Sequence, residues 1–274
     1  MSLKRVAILG GGNMGGSIAR GMVQNADLGI APDQIVIAET DAAKHASLKR
    51  GIGCEVVPAA AEAMRVLDPA GIVLVAVKPQ MFPQLALSVG SEVGRRLVIT
   101  VMAGQPAARV HQNLGGQCRV ARVMPNLPLV VGQGMTAMCA GPGALPADTG
   151  FVMKLFSKLG RCIELDESLM DAMTAVASSG AAYVFYLAES MIRGAVAVGF
   201  EKETATEIVR QTILGASTLL AEDPAGPEEL RARVTSRGGT TAAATAVLDT
   251  ALVQDVVQRA VIAARDRGRE LASS

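Results

Sequence analysis

The stretch VAILGGGNMGGSIARG, residues 6–21, decides how the rest of the chain is read. It opens within RVAIL, a short run of β-branched and aliphatic residues halted by glycines, and NMGGSIARGMVQNA beyond it sets Ile18, Met22 and Val23 at helical spacing. Strand, glycine turn and helix is the simplest parse. Gly10, Gly12 and Gly15 then form G-x-G-x-x-G in that context: Gly10 makes the tight turn, Gly12 lets a pyrophosphate approach the backbone, and Gly15 permits close helix packing. Asn13 and Met14 sit at the helix N-terminus, where unpaired N–H groups and the positive dipole end attract phosphate. The alternative is a functionless turn in a chain of 29 glycines; the strand before and helix after favour a dinucleotide cradle.

Outward from this loop, QIVIAE and GIVLVAVKP repeat the strand signal, the latter as an unbroken apolar run suited to a sheet covered on both faces. RLVITVMAG and CRVARVMPNLP add two more strands, with a helix-compatible stretch at 107–114 between them. This alternation predicts an α/β Rossmann-type domain over residues 1–164, doubly wound around a mainly parallel sheet. Glu39, closing the second strand, is placed to bind the adenosine ribose hydroxyls and would favour NAD over NADP. Its spacing from the glycines is longer than usual, a solvated loop acid is the plain reading, and Lys44 is the nearest cation for a 2′-phosphate.

After GRCIELD the texture changes: residues 165–274 read as all-helical, with long stretches at 179–198, 204–221 and 240–271 and a loop at Asp223, Pro224, Gly226 and Pro227. The stretch 181–198 is apolar nearly all round, through Tyr183, Val184, Leu187, Met191, Ile192 and Val196. Such a helix needs cover on most faces, which predicts self-association through the helical part.

The 274 residues carry a net charge of +1 and 3% aromatics without tryptophan, so neither a polyanion-binding field nor base-stacking surfaces are present, and nucleic acid is not an expected partner. No apolar run reaches membrane-spanning length, and the N-terminus lacks a signal peptide's longer apolar segment. Cys54, Cys118, Cys139 and Cys162 lie far apart without a CxxC pair, which suggests a reducing cytosol and neither disulfides nor zinc. No His, Cys or carboxylate pair shows ligand spacing, so no metal is expected. His45 and His111, the two histidines, read as surface residues, and SSGA lacks the pattern of a hydrolase serine.

Five ordered blocks, ILGGGNMG (8–15), AVKPQ (76–80), RVMPNLP (122–128), SSGAAYVFYLAE (178–189) and VTSRGGTTAA (234–243), make the chain resemble pyrroline-5-carboxylate reductase over nearly its whole length. The resemblance implies a Rossmann domain followed by an all-α dimerisation domain, in a homodimer or a ring of dimers. It implies hydride transfer from NADPH or NADH to the C=N carbon of 1-pyrroline-5-carboxylate, giving L-proline. It places Ala76, Val77, Lys78 and Pro79 at the cofactor, Met102, Ala103 and Asn126 on the nicotinamide side, and Glu167, Ser236, Gly239, Thr240 and Thr241 at the substrate. Leu127 stands where the family usually has threonine, Arg237 where it has proline, Arg233 where it has a cofactor-contacting asparagine, and 177–183 lose a glycine and a proline of the family pattern. Arg233 and Arg237 add positive charge beside the expected site. These departures keep open a different cyclic imine or imino acid as substrate, or a dinucleotide-sensing protein without turnover.

A cyclic imine acid needs a carboxylate holder, a partner for its nitrogen and a nearby hydride donor. SRGGTTAAATAVL runs from glycines into a helix, so the N–H groups of Gly239 and Thr240 suit a carboxylate, and the Thr241 hydroxyl suits the nitrogen. Plain helix capping by Ser236, Thr240 or Thr241 is the competing reading. Lys78 either acts electrostatically near the nicotinamide or simply ends a strand. A protonated imine is already electrophilic, so positioning matters more than a strong acid.

Overall fold

The computed structural model describes residues 4–273. Eight strands, β1 (Lys4–Leu9), β2 (Ile35–Ala38), β3 (Glu55–Val57), β4 (Leu67–Val75), β5 (Leu97–Thr100), β6 (Arg119–Met124), β7 (Gly134–Ala140) and β8 (Gly160–Glu164), form one sheet in the order β3-β2-β1-β4-β5-β6-β7-β8. Six of the seven pairings are parallel; β6 and β7 run antiparallel. The short segment between β6 and β7 explains the exception, since a parallel return needs a longer crossover.

Helices α1 (Asn13–Gln24), α2 (Ala42–Ile52), α3 (Ala60–Val66), α4 (Phe82–Val93), α5 (Ala107–Asn113) and α6 (Pro146–Ser157) accompany the strands. Along β1 the side chains alternate between two cores. Val6 and Ile8 join Ile18 and Met22 of α1, Leu48 of α2 and Phe156 of α6. Ala7 and Leu9 join Met64 of α3, Phe82 and Val89 of α4 and Val110 of α5. Both faces are thus covered, and each fully buried large aliphatic side chain contributes roughly 1.5–3 kcal/mol. The doubly wound reading of the N-terminal part holds. The chain order reverses beside β1, with β2 on one side and β4 on the other. In open α/β sheets the ligand crevice lies outside the strand ends at such a point.

After β8, α7 (Met170–Met173) continues into a π-helical turn, Thr174–Ser178. Met170 and Met173 pack with Met124, Ala137 and Cys139 at the β6–β7 end of the sheet. One compact unit accordingly extends to Ser179 and includes the chain from Ala264 onward; the second is Gly180–Ala263. The remaining elements are all helical: α8 (Gly180–Ala197), α9 (Lys202–Glu222), α10 (Pro227–Arg233), α11 (Thr240–Thr250) and α12 (Val253–Ser273). The single stretch expected at 240–271 is therefore two helices, divided where Leu252 adopts φ +51°, a left-handed conformation no local residue type announces. No residue of α8 is buried within the chain, and Phe185, Tyr186 and Leu187 are each more than half exposed.

Candidate functional site

The loop between β1 and α1 has the geometry that its glycines imply. Gly10 has φ +109°, and a Cβ there would stand 2.6 Å from the Ala76 carbonyl oxygen. A Cβ on Gly15 would lie 2.0 Å from the Gly10 carbonyl oxygen, so only glycine lets α1 start this close to the turn. Gly12 differs: nothing lies within 4 Å of a Cβ there. Its place is open rather than crowded, the gap a bound pyrophosphate needs. Gly12 is the N-cap of α1, makes no side-chain cap and is followed by no acidic residue in the first turn. The first intrahelical bond runs from Gly16 N–H to Gly12 O (2.9 Å), which leaves the N–H groups of Asn13, Met14 and Gly15 ahead of the helical ladder.

A cavity of about 540 Å³ adjoins this loop, at the β1/β4 reversal of the sheet. Gly10, Gly12, Glu39, Ala76, Val77 and Lys78 all belong to its wall, together with Asp41, Lys44, Pro58, Ala59, Met81 and Leu85, which the glycine motif did not nominate. Glu39 is not a solvated loop acid: it is 8% exposed, and its Oε1 accepts the Asp41 N–H at 2.9 Å. Lys78 is exposed and its carbonyl accepts the Met81 N–H (2.9 Å). Pro79 follows, starting a 3-10 turn at Pro79–Met81. The histidines are half-buried rather than on the surface, each with a ring nitrogen against a backbone carbonyl: His45 at Glu39 (2.6 Å) and His111 at Cys118 (2.8 Å).

The residues assigned to the nicotinamide side lie outside that cavity wall. Met102, just beyond β5, is 1% exposed with its side chain in the core, and its N–H donates to Thr100 Oγ1 (3.4 Å). Ala103 packs against the Met124 cluster. Asn126 is buried, and both ends of its amide are engaged: Nδ2 donates to Ala177 O (3.2 Å) and Oδ1 accepts the Met135 N–H (2.8 Å). Ser178 Oγ donates to Pro125 O (3.0 Å) beside it. The Asn126 amide thus holds the Met-Pro-Asn turn to the π-helical turn, a role its motif does not reveal.

Arg122, inside RVMPNLP but not singled out by sequence, anchors the adjoining network. It is 3% exposed in β6; Nη1 donates to Glu167 Oε1 (3.1 Å) and Nη2 to Asp171 Oδ1 (3.3 Å). Its Nε finds no partner among the described residues. The same Glu167 Oε1 accepts the Ala107 N–H (2.7 Å) at the start of α5. Glu167 therefore fixes the end of the loop that carries Met102 and Ala103. One signal was legible: a basic residue in an otherwise apolar strand requires a partner.

In the second unit, Gly238 has φ +72° and Gly239 is the N-cap of α11 without a side-chain cap, so capping by Ser236, Thr240 or Thr241 is not what the turn shows. The Gly239 N–H already donates to Ser236 O (3.0 Å). The open donors are instead those of Thr240, Thr241 and Ala242, ahead of the first helical bond at Ala243 N–H. Thr241 is half-buried, while Ser236, Arg237 and Thr240 are exposed. Arg233 does not add free charge here: it pairs with Asp223 (2.7 Å) and Glu229 (2.7 Å), and these two bonds raise its pKa further. Leu127, by contrast, is 44% exposed in the first unit, at the start of a 3-10 turn.

Burial pushes the thiols of Cys54, Cys139 and Cys162 up to about 11 and also raises Cys118. Protonated at neutral pH, they are poor nucleophiles and metal ligands. Cys162, half-buried against Met153, is a core residue as Cys54 is. Among the described residues, no three His, Cys, Asp or Glu side chains cluster to hold a metal ion, and no helix is long and apolar enough to cross a membrane.

Two family models match: pyrroline-5-carboxylate reductase dimerisation over residues 167–271, and NADP oxidoreductase coenzyme F420-dependent over residues 5–104. The chain is 34% identical to the pyrroline-5-carboxylate reductase of Synechocystis, covering 97% of this chain and 98% of that one. It is 33% identical to that of Arabidopsis thaliana, covering 98% and 96%. Among solved structures, the pyrroline-5-carboxylate reductase of Coxiella burnetii superposes with a TM-score of 0.86 at 28% identity over 100% of both chains. The Plasmodium falciparum pyrroline carboxylate reductase, solved with NADP bound, gives 0.85 at 25% identity over 99% of both. On full-length similarity of this kind, the chain belongs to the pyrroline-5-carboxylate reductase family.

Proposed function

We propose that the protein reduces 1-pyrroline-5-carboxylate to L-proline with NADPH or NADH as hydride donor. The observation that carries this reading is the open place at Gly12, beside a cavity walled by Glu39 and the Ala76–Lys78 segment. The N–H groups of Asn13, Met14 and Gly15 would hold the pyrophosphate and Glu39 the adenosine ribose, while the backbone at Met102 and Ala103 and the turn fixed by Asn126 border the nicotinamide. When bound, the reduced nicotinamide supplies the hydride that adds to the C=N carbon, and the C=N electron pair passes to the nitrogen.

In the second unit, the N–H groups of Thr240 and Thr241 would receive the substrate carboxylate, with Gly239 shaping the turn and Ser236 beside it. The Thr241 hydroxyl accepts from the protonated imine nitrogen and holds the amine that forms. No further acid is needed, because the iminium is already protonated. Lys78 lends positive charge at the cavity wall, and Glu167 fixes the start of α5. The uncovered apolar surface of α8 and the dimerisation match favour a homodimer or a ring of dimers built through the helical residues 165–274. Four unpaired thiols suit the cytoplasm.

The test follows loss of reduced nicotinamide absorbance with 1-pyrroline-5-carboxylate, together with proline formation. Both are expected, and Thr241→Ala should lower kcat/KM by roughly 10- to 100-fold, the worth of a hydrogen bond to a charged group. No absorbance loss at any practical protein concentration contradicts the reading. Exposed Leu127 and Arg237 favour a second one, a different cyclic imine acid on the same chemistry, which a substrate panel on wild type and the Leu127→Thr/Arg237→Pro variant decides.

A further inference from the structure

We propose that Glu39 selects against a phosphate on the adenosine 2′-hydroxyl, so that the enzyme binds NADH in preference to NADPH; this rests on the dinucleotide reading above. Glu39 begins alongside the phosphate turn. The Gly10 N–H donates to Ala38 O (2.9 Å), and a Cβ on Gly11 would stand 3.1 Å from the Glu39 Cβ. A pyrophosphate on the first turn of α1 therefore brings its adenosine ribose to this carboxylate.

Glu39 cannot easily swing aside for a larger group. Its side chain is 9% exposed, Asp41 N–H fixes Oε1, and His45 holds its backbone carbonyl. A carboxylate offers about four lone-pair sites, so acceptor capacity remains for two adjacent ribose hydroxyls. A 2′-phosphate removes one of those donors and brings nearly two negative charges.

Among the described residues of the cavity wall, no cation at this end is free to offset them. Lys44 lies 3.3 Å from Asp41 and 4.0 Å from Glu39, one ammonium shared by two carboxylates, so the three groups sum to a charge of −1. The other cation in the cavity wall is Lys78, beyond the end of β4. A phosphate placed here meets a fixed, buried carboxylate without an unshared counter-charge.

Calorimetric titration of the whole protein with NADH and with NADPH, without substrate and at one ionic strength, tests this. NADH should bind at least about tenfold more tightly, about 1.4 kcal/mol. Glu39→Gln, which keeps an acceptor for the Asp41 N–H while removing the charge, should shrink the gap to within about threefold. Equal or tighter NADPH binding in wild type, or a gap that survives Glu39→Gln, overturns the proposal while the reductase reading stands. Binding of neither overturns both. Should Glu39→Gln not fold, competition against NADH by ADP and by 2′-phospho-ADP on wild type replaces it: the 2′-phosphate must weaken competition about tenfold, and equal competition refutes the selection.

Discussion

Gly12→Ala is expected to weaken NAD(P)H binding at least about tenfold while moving the melting temperature by no more than about 3 °C. The two effects separate because the added methyl meets no atom of the protein within 4 Å, yet fills the space left open at the N-terminus of α1. Alanine at an N-cap costs up to about 1 kcal/mol relative to glycine, which bounds the stability change. Gly15→Ala should instead lose both, since its methyl would stand 2.0 Å from the Gly10 carbonyl oxygen and the first turn of α1 has to move away. Overpacking of that kind costs roughly 1–3 kcal/mol. Titration of reduced cofactor beside thermal melting checks the pair. Unchanged binding in a folded Gly12→Ala protein would show that this gap is not where the pyrophosphate lies.

Arg122→Met should be the most destabilising single change in the network around the Met-Pro-Asn turn. It leaves Asp171 and the more exposed Glu167 without their counter-charge; both carboxylates keep access to water, so the cost falls below that of a fully buried pair, roughly 1–3 kcal/mol. For a unit of this size that is a fall in melting temperature of roughly 5 °C. Because Glu167 also accepts the Ala107 N–H, the segment before α5 should loosen and the KM for cofactor rise. Arg122→Met/Asp171→Asn should recover part of the loss by removing one unpaired charge. A melting temperature within about 1 °C of wild type would show that the buried guanidinium stabilises nothing.

The glycine loop was legible because everything it needs is local: a strand, three glycines and a helix within residues 6–21. The same holds for β1, β2, β4 and β5, each of which contains a continuous apolar run, and for β6, whose apolar residues are interrupted only by Arg122. β3 is three residues long, and β7 mixes Gly134 and Thr136 with methionines, so neither carries a period strong enough to read alone. Their pairing comes from neighbours in the sheet. Arg119 and Arg122 gave the same difficulty, since their partners Asp148 and Asp171 lie 29 and 49 positions away. The acid at the end of β2 was found by its position in the chain, but its burial depends on packing of α2 and on the Asp41 N–H. Residues of the AVKP segment and the Gly-Gly-Thr-Thr turn were nominated by resemblance. Alone, their composition says only strand end and helix start.

A chain that acts as this reductase directs a hydride onto the C=N carbon of a cyclic imine acid. Running the reaction with reduced cofactor that carries deuterium at both C4 positions of the nicotinamide, and locating the label by mass spectrometry and NMR, tests this. Proline carrying a single deuterium at C5 is expected. Unlabelled proline, or intact cofactor and no proline with a protein that demonstrably binds the dinucleotide, would contradict it.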